Sequence, residues 1–259
     1  MNYKEINIET LLDIAHQAGD AIMEIYNRDF TVEYKDDKSP LTDADKKSNT
    51  VILEGLKKYY PDIPFISEEN KLVSYEERKN WNRFWLIDPI DGTKEFIKQN
   101  GEFTVNIALI EDGVPVIGIV GVPAQDKTYY GVKGEGSFKV ESLKSKVQIS
   151  NSTHYSIKSK VIVVASRSHL SEETLQFVER LKAEGKEVDF LSSGSSLKFC
   201  LVAEGAADVY PRFGPTMEWD TGAAHAVALY AGKNVINTET GKPLAYNKEN
   251  LLNPYFIVE

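Results

Sequence analysis

Two aspartates close an apolar run in the segment 85–93, which reads WLIDPIDGT. Pro89 removes a backbone donor and holds Asp88 extended, and the glycine after Asp91 permits a tight turn before the final threonine caps a helix. We therefore expect both carboxylates to leave the edge of a sheet together. With the backbone carbonyl of Ile90 they form a partial oxygen shell of the kind that Mg²⁺ binds. A turn followed by a capped helix is the purely structural alternative.

A covalent mechanism is a second interpretation of this segment. The haloacid dehalogenase signature also ends a strand with two aspartates before Gly-Thr, and its first aspartate is a covalent nucleophile. That signature has one residue between the aspartates, whereas this chain has Pro89 and Ile90. The spacing therefore counts against an aspartyl-phosphate intermediate.

Further carboxylates stand at the ends of other predicted elements. Glu68 and Glu69 follow an apolar strand, where a solvated surface pair is the ordinary explanation. Asp220 opens an apolar helix, and a carboxylate there interacts well with the helix dipole. Asp45 stands three residues after a threonine, as in a capping box. None of these residues identifies a site by itself.

Apolar spacing indicates which elements position these side chains. A stripe with helical spacing predicts a helix over 8–26, and a second helix is predicted from Thr42 until Pro61 stops it. A strand-rich section follows, in which Glu111-Asp112-Gly113 predicts a hairpin between two strands. Beyond Lys160, strands alternate with helices. The predicted strands are 64–66, 84–87, 104–110, 114–120, 161–164, 188–191 and 207–210, and the later helices are 172–184, from 195, and 221–230.

Composition places limits on the class of protein. The 259 residues include 42% hydrophobic residues, enough for a core, and we expect one unit over 1–259 with an α+β half to about 150 and an α/β half over about 151–259. Cys200 is the only cysteine, so no intrachain disulfide can form. The net charge of −9 argues against a nucleic-acid polymer as ligand. With no apolar run long enough to span a membrane, we expect a cytoplasmic protein. No protein partner is indicated.

These motifs together resemble the inositol monophosphatase superfamily of Mg²⁺-dependent, Li⁺-sensitive phosphatases. The segment 85–93 matches the first family signature, and Trp219-Asp220 with Ala223 and Val227 matches the second. Inositol monophosphatases typically carry Thr-Asn where this chain has Lys94-Glu95. Other segments are similar to CysQ-type 3′(2′),5′-bisphosphate nucleotidases, namely DGTKEFI at 91–97, GEFTVNIA at 101–108, SRSH at 166–169, GSSLKFC at 194–200 and YPRFGPT at 210–216.

The resemblance implies an α+β fold, a layered αβαβα sandwich, with two or three Mg²⁺ ions as cofactor. It implies that Glu68 and Thr93 orient the attacking water and that Asp45 lies beside the site. The role of Glu69 stays open, and the loop at 70–82, which departs from relatives, is expected not to touch the chemistry. By position, the metal ligands are Glu68, Asp88, the Ile90 carbonyl, Asp91 and Asp220.

The second half of the chain is expected to recognise substrate. Ser195 and Ser196 precede an apolar-faced helix, so their hydroxyls and the free amides of the helix start, with Lys198, predict an anion site for a second phosphate. An ordinary serine cap with a solvated lysine is the alternative. Other polar residues follow predicted strands, where ligands often bind. With the resemblance, the substrate-binding set comprises Asp91, Gly92, Thr93, Ser168, His169, Gly194, Ser195, Lys198, Arg212 and Asp220.

The function that the resemblance implies is removal of the 3′-phosphate from 3′-phosphoadenosine 5′-phosphate, giving AMP and phosphate, in the family's role of clearing a by-product of sulfate assimilation. An inositol monophosphatase or a broad sugar-phosphate phosphatase is the nearest alternative. A catalytically silent cation- or nucleotide-binding protein is another. Peripheral attachment to the inner face of the inner membrane is reported for relatives, but no basic amphipathic helix predicts it here.

Overall fold

The computed structural model of the chain describes residues 5–28, 31–34, 40–142, 145–166 and 171–259. Two long helices open the fold, α1 over Ile8–Tyr26 and α2 over Asp43–Tyr59. The Asn7 side chain caps α1 by accepting from the Thr10 amide. The predicted capping box begins α2. The Thr42 side chain accepts from the backbone of the first turn, and the Asp45 side chain accepts from the Thr42 amide. Both helix predictions are confirmed.

A short antiparallel pair, β1 (Val32–Tyr34) and β2 (Pro40–Thr42), precedes α2. A seven-stranded mixed sheet follows in chain order, from β3 to β9. Among the described strands of this sheet, only β3 and β4 run parallel. The predicted hairpin between β5 and β6 turns at Asp112 and Gly113, which both have positive φ. The strands are β3 (Phe65–Ser67), β4 (Arg83–Asp91), β5 (Thr104–Glu111), β6 (Val114–Val122), β7 (Lys127–Val132), β8 (Gly136–Glu141) and β9 (Ser145–Ile149).

Helices cover both faces of this sheet. Alternate residues of β4 point to opposite faces, so that Trp85 packs with α1 and α2, and Leu86 packs with the last helix, α7 (Glu218–Tyr230). A side chain at Gly118 of β6 would collide with the Ala223 carbonyl of α7, at 2.1 Å from the added carbon. The glycine therefore lets α7 lie directly on the sheet.

The second half of the chain adds a further layer of strands and an outer helix. Helix α6 (Leu197–Ala203) packs beside α7 and contacts the strands of this layer. The parallel pair β10 (Lys160–Ala165) and β11 (Glu187–Ser192), the sheet β12-β14-β13 and the outer helix α5 (Glu172–Ala183) complete the layered αβαβα sandwich. The three antiparallel strands are β12 (Tyr210–Arg212), β13 (Val235–Asn237) and β14 (Phe256–Val258).

Several boundaries differ from prediction. Strand β4 extends to Asp91 rather than 87, and α6 begins at Leu197 rather than at 195. The strand expected over 207–210 is β12, which begins only at Tyr210, because Val209 forms an isolated bridge with Val163. Helix α7 begins at Glu218 rather than at 221. The division of the chain near residue 150 stays a proposal. No helix in the described part of the chain combines the length and hydrophobicity needed to span a membrane.

Candidate active site

Three carboxylates from distant parts of the chain meet at one end of the large sheet. Glu68 follows β3, Asp88 lies on β4, and Asp220 lies in the first turn of α7. One oxygen from each lies within 4.8 Å of the others. The parallel pairing of β3 and β4 sets this geometry, because Ser67 pairs with Ile87 and the Glu68 amide donates to the Ile87 carbonyl at 3.2 Å. Glu68 is thereby placed beside Asp88.

A bulge separates the two aspartates of β4. Asp88 pairs with Asn106 of β5 and Asp91 pairs with Thr104, so the β4 strand has one extra residue between these pairs. The bulge is held locally, since the Ile90 amide donates to Asp88 Oδ1 at 3.1 Å. The prediction that the strand ends at 87 and both carboxylates leave the sheet edge is therefore wrong, because β4 continues to Asp91 and the two aspartates stand on opposite sides of the bulge.

Thr93 does not cap the short helix α4 (Thr93–Ile97), contrary to the prediction. Gly92 occupies the cap position with a positive φ of 90°, and Thr93 is the first helical residue. The Thr93 hydroxyl lies 3.4 Å from Asp45 Oδ1 and 3.4 Å from the Ile90 carbonyl. Asp45 Oδ2 accepts from the amide and the hydroxyl of Thr42, both at 2.7 Å. Asp45 is thus both a helix cap and a neighbour of the site.

The electrostatics of this cluster favour a bound cation. Burial, and then the charges of Glu68 and Asp91, raise the pKa of Asp88 well above its ordinary range. Burial, and then the charge of Asp91, also raise the pKa of Asp220 well above its ordinary range. The pKa of Asp91 rises to about 6 through burial, with Lys198 opposing the shift. Oxygen donors that repel one another in this way suit a hard divalent cation, which would offset their charge.

Two adjoining cavities form one cleft at this end of the sheet. Their volumes are about 450 Å³ on the side of Glu68 and Asp88, and about 210 Å³ on the side of Lys198 and Arg212. The residues that line both are Asp91, Gly92, Lys94, Glu95, Thr216 and Asp220. A ligand can therefore contact the acidic cluster and the basic residues together.

The two basic residues of the cleft are shielded from water to different degrees, since Lys198 is buried and Arg212 is half-buried. Lys198 is 5% exposed, its Nζ donates to the Ser195 carbonyl at 2.6 Å, and it lies 5.3 Å from the centre of the Tyr210 ring. Burial lowers the pKa of Lys198 to about 8, although Asp91 opposes the shift. The guanidinium of Arg212 donates to the Pro215 carbonyl at 2.9 Å, while its buried Nε has no acceptor among the described residues. The alternative of a solvated lysine is therefore wrong.

Two backbone amides just before α6 are not free, although the prediction of an anion site assumed free amides at the helix start. The Gly194 amide donates to Glu102 at 2.9 Å, and the Ser196 amide donates to the Asp91 carboxylate. Ser196 stands at the cap position of α6 without a side-chain cap bond, and its hydroxyl instead bonds Asn106 at 2.8 Å. The carboxylates of Glu102 and Asp91 and the side chain of Asn106 thus occupy these donors, and positive charge in the cleft comes from side chains.

Two predicted residues fall outside the part of the chain that the structure describes, and two residues that line the cleft were not predicted. Ser168 and His169 lie outside the described residues. Lys94 on α4 and Lys98, the residue that follows its last turn, line the cleft, and the sequence patterns predict no role for them. Their spacing of four residues was the available signal, since such residues share one side of a helix.

Comparison with known proteins places this site in a family. The family model described as "Inositol monophosphatase family" matches residues 5–255. The 3′(2′),5′-bisphosphate nucleotidase CysQ of Salmonella typhimurium is 47% identical over 254 residues, covering 97% of this chain and 98% of that protein. The protein of the same name from Escherichia coli K12 is 45% identical with the same coverage.

A solved structure agrees with this comparison. The crystal structure of CysQ from Bacteroides thetaiotaomicron, described as a bacterial member of the inositol monophosphatase family, matches with a TM-score of 0.86 at 44% identity. The match covers 97% of this chain and 96% of that chain. Since family model, relatives and fold agree over nearly the whole length, this chain belongs to the inositol monophosphatase family.

Proposed function

We propose that the protein is a Mg²⁺-dependent 3′(2′),5′-bisphosphate nucleotidase that converts 3′-phosphoadenosine 5′-phosphate to AMP and phosphate. The observation that carries the proposal is the cleft in which the buried ammonium of Lys198 and the half-buried guanidinium of Arg212 adjoin the acidic cluster. A substrate with two phosphates uses both regions, whereas a monoester needs only one. The names of the relatives from Salmonella typhimurium and Escherichia coli support this substrate class.

The family is metal-dependent, and the acidic cluster fits a divalent ion because every donor is an oxygen. We assign two or three Mg²⁺ ions to this region. When bound, Mg²⁺ supplies positive charge for the phosphate and acidifies the attacking water. The residues that would hold it are Glu68, Asp88, the carbonyl of Ile90, Asp91 and Asp220.

Thr93, Asp45 and Glu68 are proposed to orient the water. The Thr93 hydroxyl faces Asp45 Oδ1 at 3.4 Å, so donation to that carboxylate leaves the Thr93 oxygen free to accept a hydrogen bond from water. Glu68 accepts the second hydrogen bond from the water and takes its proton as the oxygen attacks. In this arrangement an oxygen lone pair is directed at phosphorus for in-line displacement of the ribose oxygen, which leaves as a hydroxyl with a proton from solvent, and no phosphoenzyme forms.

Lys198 and Arg212 are proposed to bind the second phosphate. The buried Nε of Arg212 needs an acceptor, and a desolvated ammonium at Lys198 gains more from an anion than an exposed one does. Gly194 and Ser195 form the adjacent wall, where a side chain on Gly194 would lie 2.6 Å from Glu95 Cγ. Ser168 and His169 remain substrate-binding candidates by resemblance alone. A cytoplasmic location and the absence of a protein partner likewise stay predictions.

The test compares Lys198→Ala and Arg212→Ala on two substrates, 3′-phosphoadenosine 5′-phosphate and inositol 1-phosphate. A charge-assisted hydrogen bond contributes about 1.5–3 kcal/mol, so KM for the bisphosphate should rise about 10- to 100-fold. KM for inositol 1-phosphate should change less than about twofold, because a monoester does not reach these residues. Equal losses on both substrates would contradict the assignment and favour an inositol or sugar-phosphate phosphatase.

A further inference from the structure

The carboxylate of Glu218, two residues before Asp220, is completely buried, with 0% exposure, and it does not belong to the acidic cluster. It accepts from the amide of Asn247 at 2.7 Å and from the amide of Lys248 at 3.0 Å. The ammonium of Lys248 donates to the same carboxylate. Glu218 therefore ties the first turn of α7 to a segment near the C-terminus.

Arg78 holds the other side of that segment. It is 3% exposed and lies at the end of the short helix α3 (Tyr75–Arg78). Its guanidinium donates to the side chain of Asn247 at 2.8 Å and to the carbonyls of Lys248 and Glu249 at 2.7 and 2.8 Å. In return, the Asn247 side chain donates to the Arg78 carbonyl at 2.8 Å. These contacts fix residues 247–249 against α3.

Together these bonds connect the two sides of the acidic cluster. Helix α3 belongs to the segment that follows Glu68, and Glu218 belongs to the helix turn that carries Asp220. We call Arg78, Asn247, Lys248 and Glu218 the Arg78–Glu218 bridge. The loop over 70–82, which we expected to be remote from the chemistry, contributes Arg78 to it.

We propose that Arg78 and Glu218 are positioning residues for metal binding, because the bridge holds Asp220 in register with Glu68. The inference rests on the proposed function only in taking these two carboxylates as metal ligands. Like charges within 4.8 Å repel one another, so they stay close only where the surrounding structure restrains them. A site held in place beforehand loses less freedom when an ion binds.

The experiment measures binding of Mg²⁺ alone, by calorimetry and by the rise in Tm on adding Mg²⁺, with no nucleotide present. Glu218→Gln keeps the side-chain shape but places an amide where Glu218 accepts from two backbone amides. Asn247→Gly removes the side-chain bonds to Arg78, and its positive φ of 68° suits glycine without strain. Asp208→Asn is the matched control, since Asp208 is 4% exposed and accepts from Lys158 and from the Ile162 amide, away from the acidic cluster.

Outer partners of metal ligands typically change metal affinity by about 10- to 100-fold. We expect a loss in this range for Glu218→Gln, a smaller loss in the same direction for Asn247→Gly, and less than about a twofold change for Asp208→Asn. If Glu218→Gln does not fold, Asn247→Gly decides. Variants that melt earlier but bind Mg²⁺ like the unaltered chain would overturn the proposal, as would an unaltered chain that binds no Mg²⁺.

Phosphate release by the unaltered chain is measured in parallel. Failure to hydrolyse 3′-phosphoadenosine 5′-phosphate would contradict the proposed function, whereas the comparison of Mg²⁺ affinities would still decide whether the bridge positions the ligands. The two failures are therefore distinguishable.

Discussion

Replacing Asp91 by asparagine should have opposite effects on the metal-free and the metal-bound protein. The Asp91 carboxylate accepts from the Ser196 amide, and the asparagine oxygen can keep that bond. The substitution therefore removes charge with little change in shape. Without metal, it should stabilise the fold, because burial makes the charged form of Asp91 unfavourable.

The size of the gain follows from the pKa of Asp91, which is about 6 rather than the ordinary 3.8. At about 1.4 kcal/mol per pH unit, this difference corresponds to about 3 kcal/mol. Because the side chain is only half-buried, screening reduces this to about 1–3 kcal/mol, or about 3–10 °C in Tm. The folded pKa is raised, so the unaltered chain loses this stability as pH rises from about 4 through 6. The difference in the free energy of unfolding between Asp91→Asn and the unaltered chain should therefore reach its full size above pH 7.

The assay is thermal unfolding at pH 5 and pH 7.5, with chelator or with Mg²⁺. We expect Asp91→Asn to melt higher than the unaltered chain in chelator at pH 7.5, to gain little from Mg²⁺, and to lose phosphatase activity at least 100-fold. Glu95→Gln is the control, since Glu95 lines the same cleft and has no proposed metal role. A variant that melts lower in chelator and responds fully to Mg²⁺ would refute the reasoning.

Three further predictions concern the cleft. Since burial lowers the pKa of Lys198 to about 8, its charge is lost above that pH, and KM for the bisphosphate should rise between pH 7.5 and 9.5. Lys198→Arg should flatten this profile, and a rise that persists in the variant would count against Lys198. Thr93→Val should lower kcat about 100-fold and change Mg²⁺ affinity by no more than about threefold. Thr93→Ser should keep most of the activity. Equal losses of activity in both variants would exclude the hydroxyl as the cause. Replacing Lys94 and Lys98 by glutamine should raise KM for the bisphosphate about three- to tenfold at low salt and less at high salt, because both side chains are exposed; an unchanged KM would contradict their role.

Local patterns in the sequence predict α1, α2 and strands β3 to β6 in the first half of the fold, but they do not predict β1, β2 or β7 to β9. The stripe that forms α1, the capping box at Thr42 and the turn at Asp112 and Gly113 all act within a few residues, so their signals are visible in the chain itself. The prediction of the strand over 207–210 was less accurate. Whether Val209 continues a ladder or forms a single bridge depends on neighbours that are remote in sequence.

Some features of the site were also predicted from the sequence, and others were not. The residues of the acidic cluster were predicted through the family resemblance, and the structure brings Glu68, Asp88 and Asp220 together through strand pairing and helix packing. That the amides of Gly194 and Ser196 serve the chain's own carboxylates was not predictable, because the partners lie about a hundred residues away. The Arg78–Glu218 bridge was missed for the same reason.

The most direct test of the account is phosphate release with Mg²⁺ present, comparing 3′-phosphoadenosine 5′-phosphate with inositol 1-phosphate at equal concentration and repeating the assay with Li⁺. We predict a large preference for the bisphosphate and inhibition by Li⁺. A preference for inositol 1-phosphate would contradict the role of Lys198 and Arg212, and no release from either substrate would contradict the proposed phosphatase activity.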